Sequence, residues 1–219
     1  MVNNLLLIAA TKREIECIRN LHTGEMNAGI HKITGGIGPV STVYSLMDHL
    51  MHNERPGVVL NIGIAGSYRN EFPVGTVVTP ATDCFADLGV YDDNKFISLS
   101  QAGINDNNDN YTPAGIFSAD ADFLERIPAG IKPVKAVTVN TATGSNKGRN
   151  KIEEQFHPDI ETMEGAAIYY VCKQKHIPCI GLRSVSNIVG RRDKSLWDID
   201  LALRKLGQAV EEYLNELFI

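Results

Sequence analysis

An α/β sandwich is the fold class this sequence predicts, and three observations carry that expectation. Short apolar runs alternate with amphipathic stretches along the whole chain. Several of the apolar runs are uninterrupted, as expected of strands covered on both faces. The closing segment places Ile199, Leu203, Leu206, Val210, Tyr213 and Leu217 at intervals of three and four, the signature of a helix with one face packed on a sheet. The 219 residues suit one domain with a sizeable core, and no repeat or composition shift divides residues 1–219.

Residues 5–10 read as the first buried strand. Thr11 can cap a short helix carrying Ile15 and Ile18. Gly35-Gly36-Ile37-Gly38-Pro39 is a turn, followed by a helix over 40–52. A second buried strand, 58–62, ends at Gly63-Ile64-Ala65-Gly66-Ser67, and 77–79 and 84–86 are short strands. Residues 92–112 change character. Asp92-Asp93-Asn94 and Asn105-Asp106-Asn107-Asn108-Asp109-Asn110 are too polar to bury, so a long surface loop and candidate flap is expected there. A helix over 120–127 and a strand over 134–139 follow, then a helix capped by Ser145 and running to about residue 155. A strand over 160–163, a helix over 165–174, a strand over 179–185 and a last helix from near Leu196 complete the order. In such sheets ligands sit beyond the carboxyl ends of the strands. Glu14, Gly63, Thr141, Glu164 and Asn187 each follow a predicted strand, so the topology can bring them to one cleft.

Charge and composition narrow the function. Lys plus Arg total 21 against 26 Asp plus Glu, a formal charge of −5, and no basic block occurs. A small-molecule ligand fits this balance, and general nucleic-acid binding does not. No apolar run approaches a membrane span, and the first residues lack the basic region of a signal peptide. Cys17, Cys84, Cys172 and Cys179 form no Cys-x-x-Cys pair and read as reduced core thiols of a cytoplasmic protein.

Taken singly, the candidate site residues are ambiguous. Gly36-Ile37-Gly38 resembles the opening of a dinucleotide fingerprint, but Ser41 stands at the third glycine, so a tight turn near a ligand is the better reading. His49 and His52 lie three apart with no third metal ligand in sight, so they read as a solvated helix face, and neither a metal nor an organic cofactor is expected. Lys147 and Arg149 occupy a first helical turn and face either an anion or solvent. Glu14 is a helix-surface residue or a catalytic acid. Glu164 is a charge that suits a helix dipole or a ligand contact. Asn187 is a turn former or a ligand contact.

Together, three segments resolve the ambiguity. Val59-Leu60-Asn61-Ile62-Gly63-Ile64-Ala65-Gly66-Ser67, followed by Val74-Gly75-Thr76-Val77-Val78, resembles a signature of the nucleoside phosphorylase superfamily. Thr162-Met163-Glu164-Gly165-Ala166-Ala167 resembles its ribose-binding segment, and Arg183-Ser184-Val185-Ser186-Asn187 its purine-holding strand end. Gly144-Ser145 matches in spacing. The resemblance implies a three-layer α/β/α sandwich with a mixed central sheet. Within the superfamily, methylthioadenosine/S-adenosylhomocysteine nucleosidases carry a serine where this chain has Ile64 and an aspartate where it has Asn187. Futalosine hydrolases are more similar, through Ser186-Asn187, Arg192-Asp193, Trp197 and Ala86-Asp87-Leu88-Gly89. That resemblance implies hydrolysis of futalosine to hypoxanthine and dehypoxanthinyl futalosine, a step towards menaquinone. It also implies a homo-oligomer, most simply a dimer.

The chemistry assigns roles. Cleaving an N-glycosidic bond builds positive charge on the ribose and negative charge on the base. Glu14 is the expected base that activates water. Glu164 is expected to grip the ribose hydroxyls, with Met163 against the sugar face. Asn187 is expected to donate to N7 or O6 of a 6-oxopurine, which an ionised aspartate would repel. Ile64, Ala65, Gly66 and Thr141 are expected to line the pocket. Arg191 or Arg192 would meet the 5′ carboxylate. Two other readings remain: a phosphorolytic enzyme, which needs cations that the turns 35–39 and 63–67 lack, and a non-catalytic nucleoside binder, against which Glu14 speaks.

Overall fold

The computed structural model describes residues 4–18, 29–93, 95–99, 101–104, 115–191 and 193–218. The elements run in the order β1 (Leu5–Ala9), α1 (Lys12–Ile15), β2 (Ile30–Thr34), α2 (Pro39–His52), β3 (Val58–Ser67), β4 (Val77–Phe85), β5 (Gly89–Asp92), β6 (Lys95–Ser98) and β7 (Ile116–Ser118). Then follow α3 (Ala121–Leu124), β8 (Lys132–Thr138), α4 (Asn146–Phe156), β9 (Ile160–Thr162), α5 (Gly165–Gln174), β10 (Cys179–Ile188), a 3-10 turn over Lys194–Leu196 and α6 (Ile199–Phe218).

The sheet is mixed. β1 pairs in parallel with β2 and β3, and β3 with β10. β4 runs antiparallel to β10 and parallel to β8, β8 runs parallel to β9, and β9 returns antiparallel to β3. These five strands (β3, β10, β4, β8 and β9) therefore close on themselves. The α/β class and mixed sheet follow the sequence expectation. The closure is a departure from a simple layered sheet, and it arises because β3 is ten residues long and changes partner along its length. Pairing of β3 with β1 runs from Val58 and ends at Asn61, and pairing with β9 begins at Gly66. Between them the edge of β3 is open, and there the sheet admits side chains from elsewhere.

Alternation along β1 feeds two cores. Leu5, Leu7 and Ala9 pack with Leu60, Ile62, Leu182 and the α6 residues Leu206, Val210, Tyr213 and Leu217. Leu6 and Ile8 pack on the other side with Leu46 of α2 and Ala166, Ile168 and Val171 of α5. Full burial of such side chains contributes about 1.5–3 kcal/mol each, so α6 is anchored by its apolar stripe.

Several boundaries differ from the sequence reading. Gly63 to Ser67 is not a turn but the second half of β3, and Asn187 lies inside β10. The two short strands at 77–79 and 84–86 are one strand, β4, with an irregularity between Pro80 and Thr82. The helix expected over 120–127 shrinks to α3, capped by Asp120. β2 and β7 carry no clear apolar pattern and were not expected. The start of the 92–112 loop is ordered: β5 and β6 form a hairpin, with Tyr91 edge-on to Phe96 and Phe96 against Phe156. Residues 105–112 of that expected flap lie outside the described residues.

Candidate active site

Glu14 is placed by local sequence. Thr11 caps α1 and accepts from Glu14 N, while Glu14 Oε2 accepts from Thr11 N at 2.9 Å and Thr11 Oγ1 at 2.6 Å. This reciprocal box follows from Thr-x-x-Glu after a strand. The helix is a single turn, so Glu14 does not lie on a solvated face. It is 6% exposed, and its Oε1 accepts from Ile64 N at 3.1 Å, at the open edge of β3. Three donors thus fix a carboxylate that has about four lone-pair sites.

Glu164 stands at the N-cap of α5 without capping the helix through its side chain. Its Oε1 instead accepts from Gly38 N at 2.9 Å. Gly38 has φ +85 and opens α2, so the glycine turn lends its N–H to a carboxylate of the protein itself. Burial raises the Glu164 pKa. The Gly38 N–H and Arg183 oppose that rise, and Glu14 adds to it. The following residue must be small: a Cβ on Gly165 would collide with Asp83 Oδ2.

Asn187 is aimed by a β-bulge. The register between β3 and β10 slips at Ser186, so Asn187 lies opposite Gly66. Ser186 Oγ lies 2.9 Å from Asn187 Oδ1 and donates to it, which directs the amide Nδ2 away. Nδ2 keeps only a 3.3 Å contact with Ile188 O.

These residues meet in one cavity of about 460 Å³. Glu14, Ile64, Ala65, Gly66, Met163, Glu164 and Asn187 line it. Thr141 is a correction. It is exposed and does not line the cavity, whereas its neighbours Ala142 and Thr143 do. The segment is irregular, so alternation could not tell which of its residues turns inward. Arg149 takes neither the solvated face nor the anion contact open to it: it binds Val189 O at 3.0 Å, Tyr68 O at 2.7 Å and Glu153. Arg191 is exposed and its N donates to Asn146 Oδ1, while Arg192 lies outside the described residues.

Sequence reasoning gave no role to three buried groups. Arg183, 2% exposed, donates to Asn61 O at 2.7 Å and Leu182 O at 3.0 Å, and a Cβ on Gly63 would sit between its Nε and Glu14 Oε1. Asp83 accepts from Thr138 Oγ1 at 3.0 Å and leaves Oδ2 without a partner. Its pKa is raised to about 7, first by burial, against the opposing effects of Thr138 and Arg183. Glu161 lines the cavity and accepts from Thr143 and Tyr68. For Arg183 and Glu161 the available signal was charge inside runs that read as strands, whereas Asp83 falls between the two expected short strands and gave none. Among the described residues no group of three His, Cys, Asp or Glu side chains could hold a metal ion. His49 is half-buried, edge-on to His31, and His52 is exposed beside Asp48. No described helix is long and apolar enough to cross a membrane.

The phosphorylase superfamily model matches residues 3–218. A futalosine hydrolase of Streptomyces coelicolor is 30% identical over 184 residues, covering 81% of this chain and 75% of the relative. Among solved structures, the 5′-methylthioadenosine/S-adenosylhomocysteine nucleosidase of Helicobacter pylori superposes with TM-score 0.80 at 15% identity, covering 99% of both chains. The futalosine hydrolase of the same organism gives TM-score 0.78 at 18% identity, covering 100% of this chain and 98% of that one. Family match, relative and fold agree, and the chain belongs to the phosphorylase superfamily.

Proposed function

We propose that this chain is a futalosine hydrolase, cleaving the N-glycosidic bond to release hypoxanthine and dehypoxanthinyl futalosine on the way to menaquinone. The observation that carries the choice is the Asn187 amide, turned by Ser186 so that Nδ2 is available to a purine. N7 and O6 of hypoxanthine are both acceptors, and an amide N–H suits them. The Streptomyces relative supports the same substrate.

The residues then divide the work. Glu14 accepts a proton from water with its remaining lone pair. The water oxygen bonds to the anomeric carbon as the C1′–N9 bond breaks, the released electron pair moves into the purine, which takes up a proton from solvent to leave as hypoxanthine, and Glu14 gives its proton back to solvent. Asn187 Nδ2 donates to the base where that charge collects. Glu164 holds the ribose hydroxyls, its orientation fixed by Gly38, and Met163 covers the sugar face. Ile64, Ala65 and Gly66 form the wall behind. No metal or organic cofactor enters these steps. Phosphorolysis is disfavoured, because the described residues lining the cavity include Glu14, Glu161 and Glu164 but no Lys, Arg or His.

The same reading includes a homodimer, a layered α/β/α arrangement about β1 and β3, and a cytoplasmic setting in which the thiols stay reduced. Support for the dimer is a second apolar stripe along α2. Val40, Tyr44 and Met51 are 82%, 73% and 66% exposed, next to Ile37, which is 63% exposed and lines the cavity. Singly exposed apolar residues are ordinary, but a continuous stripe marks an interface. Sedimentation showing a monomer at all concentrations, with full activity, would refute it. The decisive test of function is product analysis on futalosine, inosine and methylthioadenosine, with and without phosphate. Free hypoxanthine from futalosine without phosphate is expected. A phosphate requirement, or methylthioadenosine as the preferred substrate, would overturn the assignment.

A further inference from the structure

The first N–H groups of a helix need acceptors from outside it, and the N-cap side chain ordinarily supplies one. α5 is an exception. Its N-cap is Glu164, whose side chain makes no cap and instead accepts from Gly38 N at the cavity. The duty passes to side chains on neighbouring strands. Gly165 N donates to Thr162 Oγ1 of β9 at 3.3 Å, and Ala166 N donates to Thr138 Oγ1 of β8 at 2.8 Å. Thr138 Oγ1 donates to Asp83 Oδ1 of β4 at 3.0 Å and lies 3.2 Å from Thr162 Oγ1. Register makes this row: β8 sets Thr138 opposite Thr162, and Asp83 opposite Ala136, two residues before Thr138 on the same face.

These contacts fit one direction. A hydroxyl carries a single proton, and Thr138 gives its own to Asp83. Thr162 must therefore donate to Thr138, and both hydroxyls accept from the helix. The relay runs from Gly165 N–H through Thr162 and Thr138 to Asp83, and Ala166 N–H joins it at Thr138. Asp83 is the acceptor at its end and sets the direction of every step. Asp83, Thr138 and Thr162 are all buried, so solvent does not replace a lost partner. The carboxylate also abuts the start of α5 directly, since Gly165 has no room for a Cβ beside Asp83 Oδ2.

The arrangement separates two jobs that one side chain could not do together. Glu164 is free to reach into the cavity because the start of its helix is held from behind. Asp83 does not line the cavity, so any influence it has on a ligand passes through α5. We propose that Asp83 is a positioning residue that, through Thr138 and Thr162, anchors the first turn of α5 and so aims the Glu164 carboxylate at the ribose. This rests on the reading of the cavity as a purine nucleosidase site.

The test is a double-mutant cycle on steady-state turnover, run on whichever of futalosine, inosine and methylthioadenosine the protein cleaves fastest. Asp83→Val removes the end acceptor, and kcat/KM is expected to fall by about tenfold, with KM raised and kcat lowered together. Asp83→Asn keeps an accepting oxygen for Thr138 and should stay within about threefold of wild type. In a Glu164→Gln background, Asp83→Val should cost about threefold or less, because the carboxylate that it aims is already gone. A merely structural defect behaves differently: it lowers kcat by the inactive fraction, leaves KM alone and multiplies with the Glu164→Gln loss. An unimpaired Asp83→Val, an unchanged KM, losses that multiply, or Asp83→Asn as damaging as Asp83→Val overturns the proposal. Should Asp83→Val not fold, Thr138→Val removes the middle of the relay at nearly constant shape and must show the same KM rise and the same coupling. Cleavage of inosine or methylthioadenosine but not futalosine would sink the substrate assignment alone, and independent losses on futalosine would sink this proposal alone. Failure to cleave any of the three nucleosides overturns both.

Discussion

Glu14 and Glu164 are held mainly by backbone N–H groups, from Thr11 and Ile64 for the first, which also accepts from the Thr11 hydroxyl, and from Gly38 for the second. Across the cavity, Asn187 and Glu161 are held mainly by hydroxyls, from Ser186 for one and from Thr143 and Tyr68 for the other. The difference matches the work proposed for Glu14, Glu164 and Asn187. Backbone donors cannot rotate away, and they fix a carboxylate against charge that develops in the transition state. Hydroxyls turn and either donate or accept, so they can orient a neutral amide.

The largest expected effect breaks the backbone-held pair. Glu14→Gln preserves shape but removes the base, so kcat should drop by about 10²–10⁴-fold while ligand affinity stays near wild type. Glu164→Gln should lower kcat and weaken binding together, because the ribose grip exists in the ground state and tightens in the transition state. Steady-state kinetics with an independent binding measurement separates the two patterns. A Glu14→Gln enzyme within a few-fold of wild type would end the assignment of Glu14 as the base.

A smaller effect is expected on the hydroxyl-held side. Asn187→Asp places an acceptor against N7 and O6, and one unsatisfied polar contact costs about 1–3 kcal/mol. Cleavage of a 6-oxopurine nucleoside should fall by about tenfold or more, whereas the 6-amino analogue with the same 5′ group should fall less or rise. Equal losses on both substrates would make Asn187 structural and erase the contrast between the two sides.

The same contrast explains how much was legible in the sequence. Thr11 before a short helix is a local signal that places Glu14 just after the first strand, whereas Glu164, ambiguous by itself, was legible only through the resemblance of residues 162–167 to the superfamily's ribose-binding segment. The alternation of β and α, the amphipathic α6 and the helix capped by Ser145 were legible as local patterns. The other side depends on register between distant strands. Glu161 reaches the cavity because β9 pairs with β3 at Gly66, and nothing near residue 161 announces that pairing. Closure of the strands was hidden likewise, because β3 changes partner within one unbroken run. Ala142 and Thr143, which line the cavity beside the exposed Thr141, lie in an irregular segment that has no period to read.

Asp83 sharpens the comparison, because it is a carboxylate with neither kind of complete support. It is 1% exposed, Oδ1 accepts from Thr138, and Oδ2 has no partner. Arg183 favours its ionised form and Glu164 disfavours it, but burial dominates and the pKa rises to about 7. In the unfolded chain this group titrates near its ordinary value of 3.8. Between those two values the folded protein holds a proton that the unfolded chain has released. Stability from this group is therefore fully present below about pH 4, falls as pH rises towards about 7, and is constant above it. Asp83→Asn keeps the acceptor for Thr138 and cannot titrate. Relative to wild type, the variant should gain on the order of 2 kcal/mol of stability on going from pH 5 to pH 8. Urea unfolding at both pH values measures the difference directly. Parallel pH profiles for the two proteins would show that Asp83 is ionised throughout. Its charge would then be balanced by Arg183, and the lack of a partner at Oδ2 would carry no cost that pH can reveal.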